Sequence, residues 1–191
     1  PHSGTMSNIA KPILALTLAE VLYNLSGYVV HAVAGRILGP ADYGRYGLVI
    51  TLTTTVIILI GNGVPTAMSR YLSEAFIQNP GSIHAIKRAG IILQTLIIGA
   101  ITLIFFFFAP IISRLLGDSS LTPLFQLSSL IIPAFAASSF YFYYFTGIHR
   151  FHTQATLKIA RALLRATLLV ALVVLFKIYG AIVGYILVPF L

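Results

Sequence analysis

The stretch GRILGPADYGRYG, Gly35 to Gly47, sets two arginines, an aspartate, a proline and four glycines between two long apolar runs. Helix-stopping glycine and proline, together with charges that need water, predict a tight turn between two membrane-crossing helices. The flanks have the length this needs. A bilayer core about 30 Å thick takes roughly 20 mostly apolar residues per helix, and Pro12–Ala34 and Tyr46–Met68 stand on either side of the turn. Three more runs follow, Ala89–Leu116, Leu121–Phe145 and Thr153–Phe176, and a sixth begins near Gly180 and reaches Leu191. Breakers recur between them in IQNPGS and LGDSSLTP, and the short TGIHRFH joins the fourth run to the fifth. Barrel strands alternate apolar and polar over about 10 residues, and these runs do not. The expected fold is an all-α polytopic membrane protein, a six-helix transmembrane bundle whose sixth helix is incomplete. PHSGT ahead of Met6 reads as an appended leader, which leaves 6–191 as one transmembrane unit.

Composition points the same way. Hydrophobic residues make up 58% and charged residues 8% of the chain, with a mean hydropathy of +0.96. Soluble domains carry about a quarter charged residues, so lipid is the solvent this surface suits. A net charge of +8 would suggest nucleic acid in a soluble protein. Here the basic residues fall between apolar runs, and no nucleic-acid partner is expected. Eight of them (Lys11, Arg70, Lys87, Arg88, Arg150, Lys158, Arg161 and Arg165) fall on one side of the six-span layout, and four (Arg36, Arg45, Arg114 and Lys177) on the other. The positive-inside bias then puts the N-terminus in the cytoplasm of a cell (inner, plasma) membrane protein. Cysteine is absent, which excludes disulfides and thiolate chemistry. His149, Arg150 and His152 are too sparse for a metal site. No nucleophile–base set, P-loop or dinucleotide fingerprint occurs, so neither an enzyme nor a cofactor is expected.

The order of residues carries more than the composition. GRILGPADYGRYGLVITLTTTVIILIGNGVPTAMSRYLSE, from Gly35 to Glu74, resembles the N-terminal signature of polysaccharide and oligosaccharide flippases of the multidrug/oligosaccharidyl-lipid/polysaccharide exporter superfamily. Arg36, Leu38, Gly39, Pro40, Tyr43, Gly44 and Tyr46 match the family's loop. Gly61, Gly63, Pro65 and Arg70 match the break that ends its second span. The resemblance implies the N-terminal lobe of a two-lobe exporter that moves lipid-linked oligosaccharide from the inner to the outer leaflet by alternating access. The implied partners are a polyprenyl-diphosphate-linked sugar or another anionic lipid, membrane lipid, and a C-terminal lobe or a second copy. Coupling to protons or sodium stays open. A multidrug exporter of the same superfamily and a non-transporting half-size module are the alternatives.

Candidate site residues follow from charges inside the apolar runs. Glu20 sits about 13 Å along the first helix from Lys11, where a carboxylate costs at least about 2.5 kcal/mol unless paired, protonated or wet. Helical spacing puts Asn24, Gly27, Tyr28 and His31 on nearly the same face. This reads as a polar cavity wall, with a hydrogen bond or ion pair inside the bundle as the structural alternative. Gln154, Lys158, Arg161 and Arg165 form a second stripe. It reads as a cationic ladder leading into the cavity, with Arg161 and Arg165 as candidate substrate residues; headgroup anchoring is the alternative for Lys158 and Arg161, while Arg165, about 12 Å inside, suits an anionic substrate. Glu20 and Arg165 are expected to approach each other or to face one cavity. Gly61, Gly63 and Pro65 read as a hinge or a packing kink, with Asn62 offering a polar contact. The threonines of TLTTT are expected to bond their own backbone, FYFYYF (140–145) to anchor at the interface rather than stack on sugars, and Asp118 to pair with Arg114 in solvent.

Overall fold

Runs without period-two alternation become helices. The computed structural model describes residues 3–148 and 151–190, with side chains described at 14, 17, 18, 20–148 and 160–190. The described residues form the α-helices α1 (Ser3–Ile60), α2 (Gly63–Gln78), α3 (Ile83–Leu115), α4 (Thr122–Ser128), α5 (Ile131–Gly147) and α6 (Phe151–Leu187). No strand occurs among the described residues, as the all-α reading expects.

The opening stretch corrects the sequence reading. It is not a loop, because the backbone is helical on both sides of Gly39, which alone departs with φ 72° and ψ 174°. Glycine reaches that positive φ without a Cβ clash. Pro40 then enters the next helix where a missing N–H costs nothing. The chain doubles back here, for the Tyr43 hydroxyl lies 3.3 Å from His31 Nδ1. A straight helix would hold residues 12 apart at about 18 Å. Helix α6 turns in the same way at Lys177, φ 51° and ψ −127°, and Arg161 Nη2 donates to the Pro189 carbonyl at 3.2 Å. The two arms of α6 meet where Gly180 lies against the Leu172 carbonyl and Gly184 against the Leu169 side chain. Small residues allow such contact, which drives helix association in lipid.

The span count is corrected as well. Four apolar helical stretches among the described residues are long enough to cross a bilayer, where six were expected: Glu20–Ile60, Pro80–Leu115, Ser119–Gly147 and Ala160–Phe190. The first and last of these contain the turns at Gly39 and Lys177, and the arm 178–187 is short for a crossing of its own. The third is interrupted between α4 and α5. Pro133 has no N–H to give Ser129, so the Ser129 carbonyl accepts from Ile132 N at 3.2 Å instead.

The main core joins α1, α3, α4, α5 and α6, and Met68 and Leu72 of α2 pack on Phe140 of α5 beside it. Ala34, Tyr46 and Val49 of α1 pack with Phe105 of α3, Phe125 of α4, Ile132 of α5 and Val173 and Ile182 of α6. Thr53 is buried in it, donating to the Val49 carbonyl at 2.7 Å and sharing a 2.9 Å hydrogen bond with Ser128. Thr54 and Thr55 bond the Ile50 and Thr51 carbonyls, as expected of the threonine run.

The turns gather at one end. Arg45 Nε donates to Asp118 Oδ2 at 3.1 Å, and its Nη1 to Asp42 at 3.3 Å. Asp118 therefore pairs with Arg45 and not with Arg114, because the chain reversal at Gly39 brings Arg45 over the loop after α3. The rings of Tyr46 and Tyr185, about two helical turns beyond Gly39 and Lys177, stand 6.3 Å apart. Donation by the Ser120 hydroxyl and amide, and then by Arg45, holds the Asp118 carboxyl below its usual range. A depressed folded value gives stability that is present above the ordinary carboxylate range and lost as pH falls through the folded value. Asp118→Asn is expected to lower the unfolding temperature in detergent by no more than about 2 °C at neutral pH. The difference from the unaltered protein is expected to vanish in strong acid, and a gap that persists there would contradict the pairing.

Candidate functional site

At the end away from these turns, four elements leave a cavity. Tyr23 lies 16 residues before Gly39, and Arg161 lies 16 residues before Lys177, so each stands about 24 Å from its turn. With Asn62, Ser138, Ser139 and rings of α5 they line a pocket of about 310 Å3. Asn62 is placed there by the break between α1 and α2. Gly61 takes φ 64°, Asn62 caps α2, and Gly63 and buried Pro65 fall in its first turn, where no N–H partner is needed. The break in the second run is thus real.

The polar groups of the pocket are already organised. Ser139 Oγ donates to Asn62 Oδ1 at 2.6 Å. Arg161 Nη1 donates to Ser138 Oγ and Nη2 to the Pro189 carbonyl, while its Nε is enclosed without a partner among the described residues. Arg161 thus ties α5 to the turn that follows α6. The FYFYYF cluster, expected at the interface, contributes Tyr141, Phe142, Tyr143 and Phe145 to the lining. Lys87 stands 5.6 Å over the Tyr141 ring and 4.6 Å over that of Tyr144, a cation–π bracket.

Arg165 lies deeper, 12 residues before Lys177, or about 18 Å. Its guanidinium sits 4.8 Å over the Tyr23 ring and 5.6 Å over Tyr185, with Nη2 3.4 Å from the Tyr185 hydroxyl. A Cβ added at Gly27 would come within 3.2 Å of it. Tyr23 is therefore shared, lining the pocket and stacking on Arg165. The expected approach of Glu20 to Arg165 does not form an ion pair. The ion pairs among the described residues are Arg45 with Asp42 and with Asp118, and Arg70 with Glu74.

The reason is which face of α1 packs. Buried Ser26, Gly27, Val30 and Ala34 follow Tyr23 on the packed side. Glu20, Asn24, Tyr28 and His31 are exposed on the other, Tyr28 at 77%. Asn24 Nδ2 donates to the Glu20 carbonyl at 2.9 Å. Gly27, grouped with the polar face by spacing, belongs to the packed one. Of the sequence-derived candidates, the structure brings Asn62 and Arg161 together, with Arg165 one ring away. It leaves Glu20, Asn24 and Tyr28 outside the pocket lining.

Arg36, Gly39, Pro40, Tyr43 and Gly44 stand at the turn end, where Gly39 and Pro40 make the reversal and Tyr43 holds His31. Gln154, Lys158, His149, Arg150 and His152 lie outside the described side chains. Sequence reasoning missed Tyr23, Ser138 and Ser139. The spacing of Tyr23 ahead of Gly27, Val30 and Ala34 is the signal that marks it as packed.

Residues 9–191 match a family model described as polysaccharide biosynthesis protein. Over 176 residues the chain is 26% identical to stage V sporulation protein B of Bacillus subtilis (strain 168), an alignment covering 89% of this chain and 33% of that protein. The chain thus spans about a third of the length of this relative. No solved structure matches.

Proposed function

The chain belongs to the polysaccharide biosynthesis protein family, and from that premise we propose that it forms part of a plasma-membrane transporter for lipid-linked saccharide precursors. The observation that carries this is the pocket. In so apolar a bundle, an arginine, an amide and two hydroxyls converge with aromatic rings about 24 Å from the turns. Counted from the turns, that depth falls just inside the far edge of a core about 30 Å thick. Polar and ionisable groups inside a membrane bundle are costly and default to function. The excess of basic residues at this end supports its being cytoplasmic, so a precursor would enter from the inner leaflet and leave toward the outer.

The exposed stripe of Glu20, Asn24, Tyr28 and His31 fits a cavity wall closed by a second lobe or a second copy. Rocking of the two bodies would then expose the site alternately to each leaflet. The polyprenyl tail stays in lipid while the polar head crosses.

Leaflet exchange tests this. The protein is reconstituted in vesicles with a fluorescent polyprenyl-diphosphate-linked sugar, and a membrane-impermeant quencher reports the outer leaflet. Exchange at least about tenfold above protein-free vesicles is expected, roughly 1.4 kcal/mol off the barrier. Exchange no faster than in protein-free vesicles would contradict the proposal.

A further inference from the structure

We propose that the pocket between Tyr23, Asn62 and Arg161 is a sugar-reading subsite and that the charge of the substrate is read elsewhere. This rests on the transport reading above and adds which part of the substrate the pocket takes.

Arg161 is the only charged residue in the described lining, and three of its five N–H donors are engaged or enclosed. Anion recognition by arginine uses parallel N–H donors on one planar face. Here Nη1 serves Ser138, Nη2 serves the Pro189 carbonyl, and Nε is enclosed. With Nε enclosed, a diphosphate loses the side-on Nε–Nη pair and meets only the second N–H of each Nη, whose other N–H is held by the wall. Arg161 is therefore a positioning residue that holds the wall.

What remains suits an uncharged ring. A pyranose presents a flat C–H face and equatorial hydroxyls, which match aromatic faces flanked by amide and hydroxyl groups. Three tyrosines and three phenylalanines line the pocket. Two of these tyrosines are braced by cations, Tyr23 by Arg165 and Tyr141 by Lys87. Asn62 is fixed through Oδ1 by Ser139 and retains two N–H donors and a lone pair. The volume, about 310 Å3, stands at the low end for small-molecule sites and holds about one to two sugar rings, not a polyprenyl chain. Arg165, one ring away behind Tyr23, has no carboxylate within ion-pair distance among the described residues.

The test compares two ligands on the reconstituted protein: a polyprenyl diphosphate without sugar, and the same lipid carrying a neutral disaccharide. The sugar-bearing lipid is expected to bind about tenfold more tightly. Asn62→Ala and, separately, Tyr141→Ala are each expected to bring the ratio of the two affinities close to one. Tyr141 is about half exposed, so its variant guards against a fold defect from the helix break at Asn62. Equal binding of the two lipids by the unaltered protein, or a ratio that survives both substitutions, overturns the subsite alone. Binding of neither lipid contradicts the transport reading, and the subsite falls with it.

Discussion

Arg165→Ala is expected to slow leaflet exchange of a diphosphate-linked sugar by about tenfold or more per folded molecule, and Arg165→Lys to recover part of that loss. The magnitudes decide between a substrate role and a packing role. A cation near the bilayer midplane costs about 2.5–3.5 kcal/mol on insertion scales. Its contacts with the Tyr23 and Tyr185 rings return about 0.5–2 kcal/mol, and no carboxylate among the described residues pairs with it. On stability alone the residue is a net cost or near break-even, and alanine there is expected to leave the unfolding temperature unchanged or raised. An unchanged melting profile with exchange lost marks a group kept for an anion in transit. A large fall in melting temperature with normal exchange per folded molecule would mark a packing residue and contradict this role. Lysine keeps the point charge but not the flat fork that stacks on tyrosine, hence the partial recovery.

The fold was legible wherever one residue type dominates a long run. Apolar stretches without alternation gave the helices, and Gly39 with Pro40 gave the reversal between the first two arms. The sequence reading misjudged how little backbone a reversal needs. Gly39 alone leaves helical geometry, so the charged residues expected in a loop lie on helices, and Arg45 reaches Asp118 across 73 residues of chain. The turn at Lys177 carries no proline or glycine of its own. Close packing of Gly180 and Gly184 on the preceding arm is a tertiary fact that propensity does not hold.

The candidate site was legible in part for a similar reason. Spacing sorts residues into faces, but it cannot say which face meets a neighbour. Glu20, Asn24 and Tyr28 lie exposed, Gly27 of the same spacing group is buried, and Tyr23, three positions on from Glu20, turns to the pocket. Asn62 and Arg161 were marked as a polar residue at a break and a charge in an apolar run. Their neighbours Ser138 and Ser139 are ordinary helix residues by sequence. They become part of a site only because α5 stands between the α1–α2 break and α6.

The pocket itself can be closed chemically. The sequence has no cysteine, so Ser139→Cys introduces a single thiol into the lining. A bulky impermeant thiol reagent, applied to vesicles whose accessible face carries the pocket, should fill much of the 310 Å3. Ser119→Cys, at the turn end before α4, is the control in vesicles of the other orientation. Modification at position 139 is expected to stop exchange of the labelled lipid-linked sugar, and excess substrate to slow that modification, while modification at 119 leaves exchange intact. Exchange at the full rate with the thiol at 139 completely modified would contradict passage of substrate through this pocket.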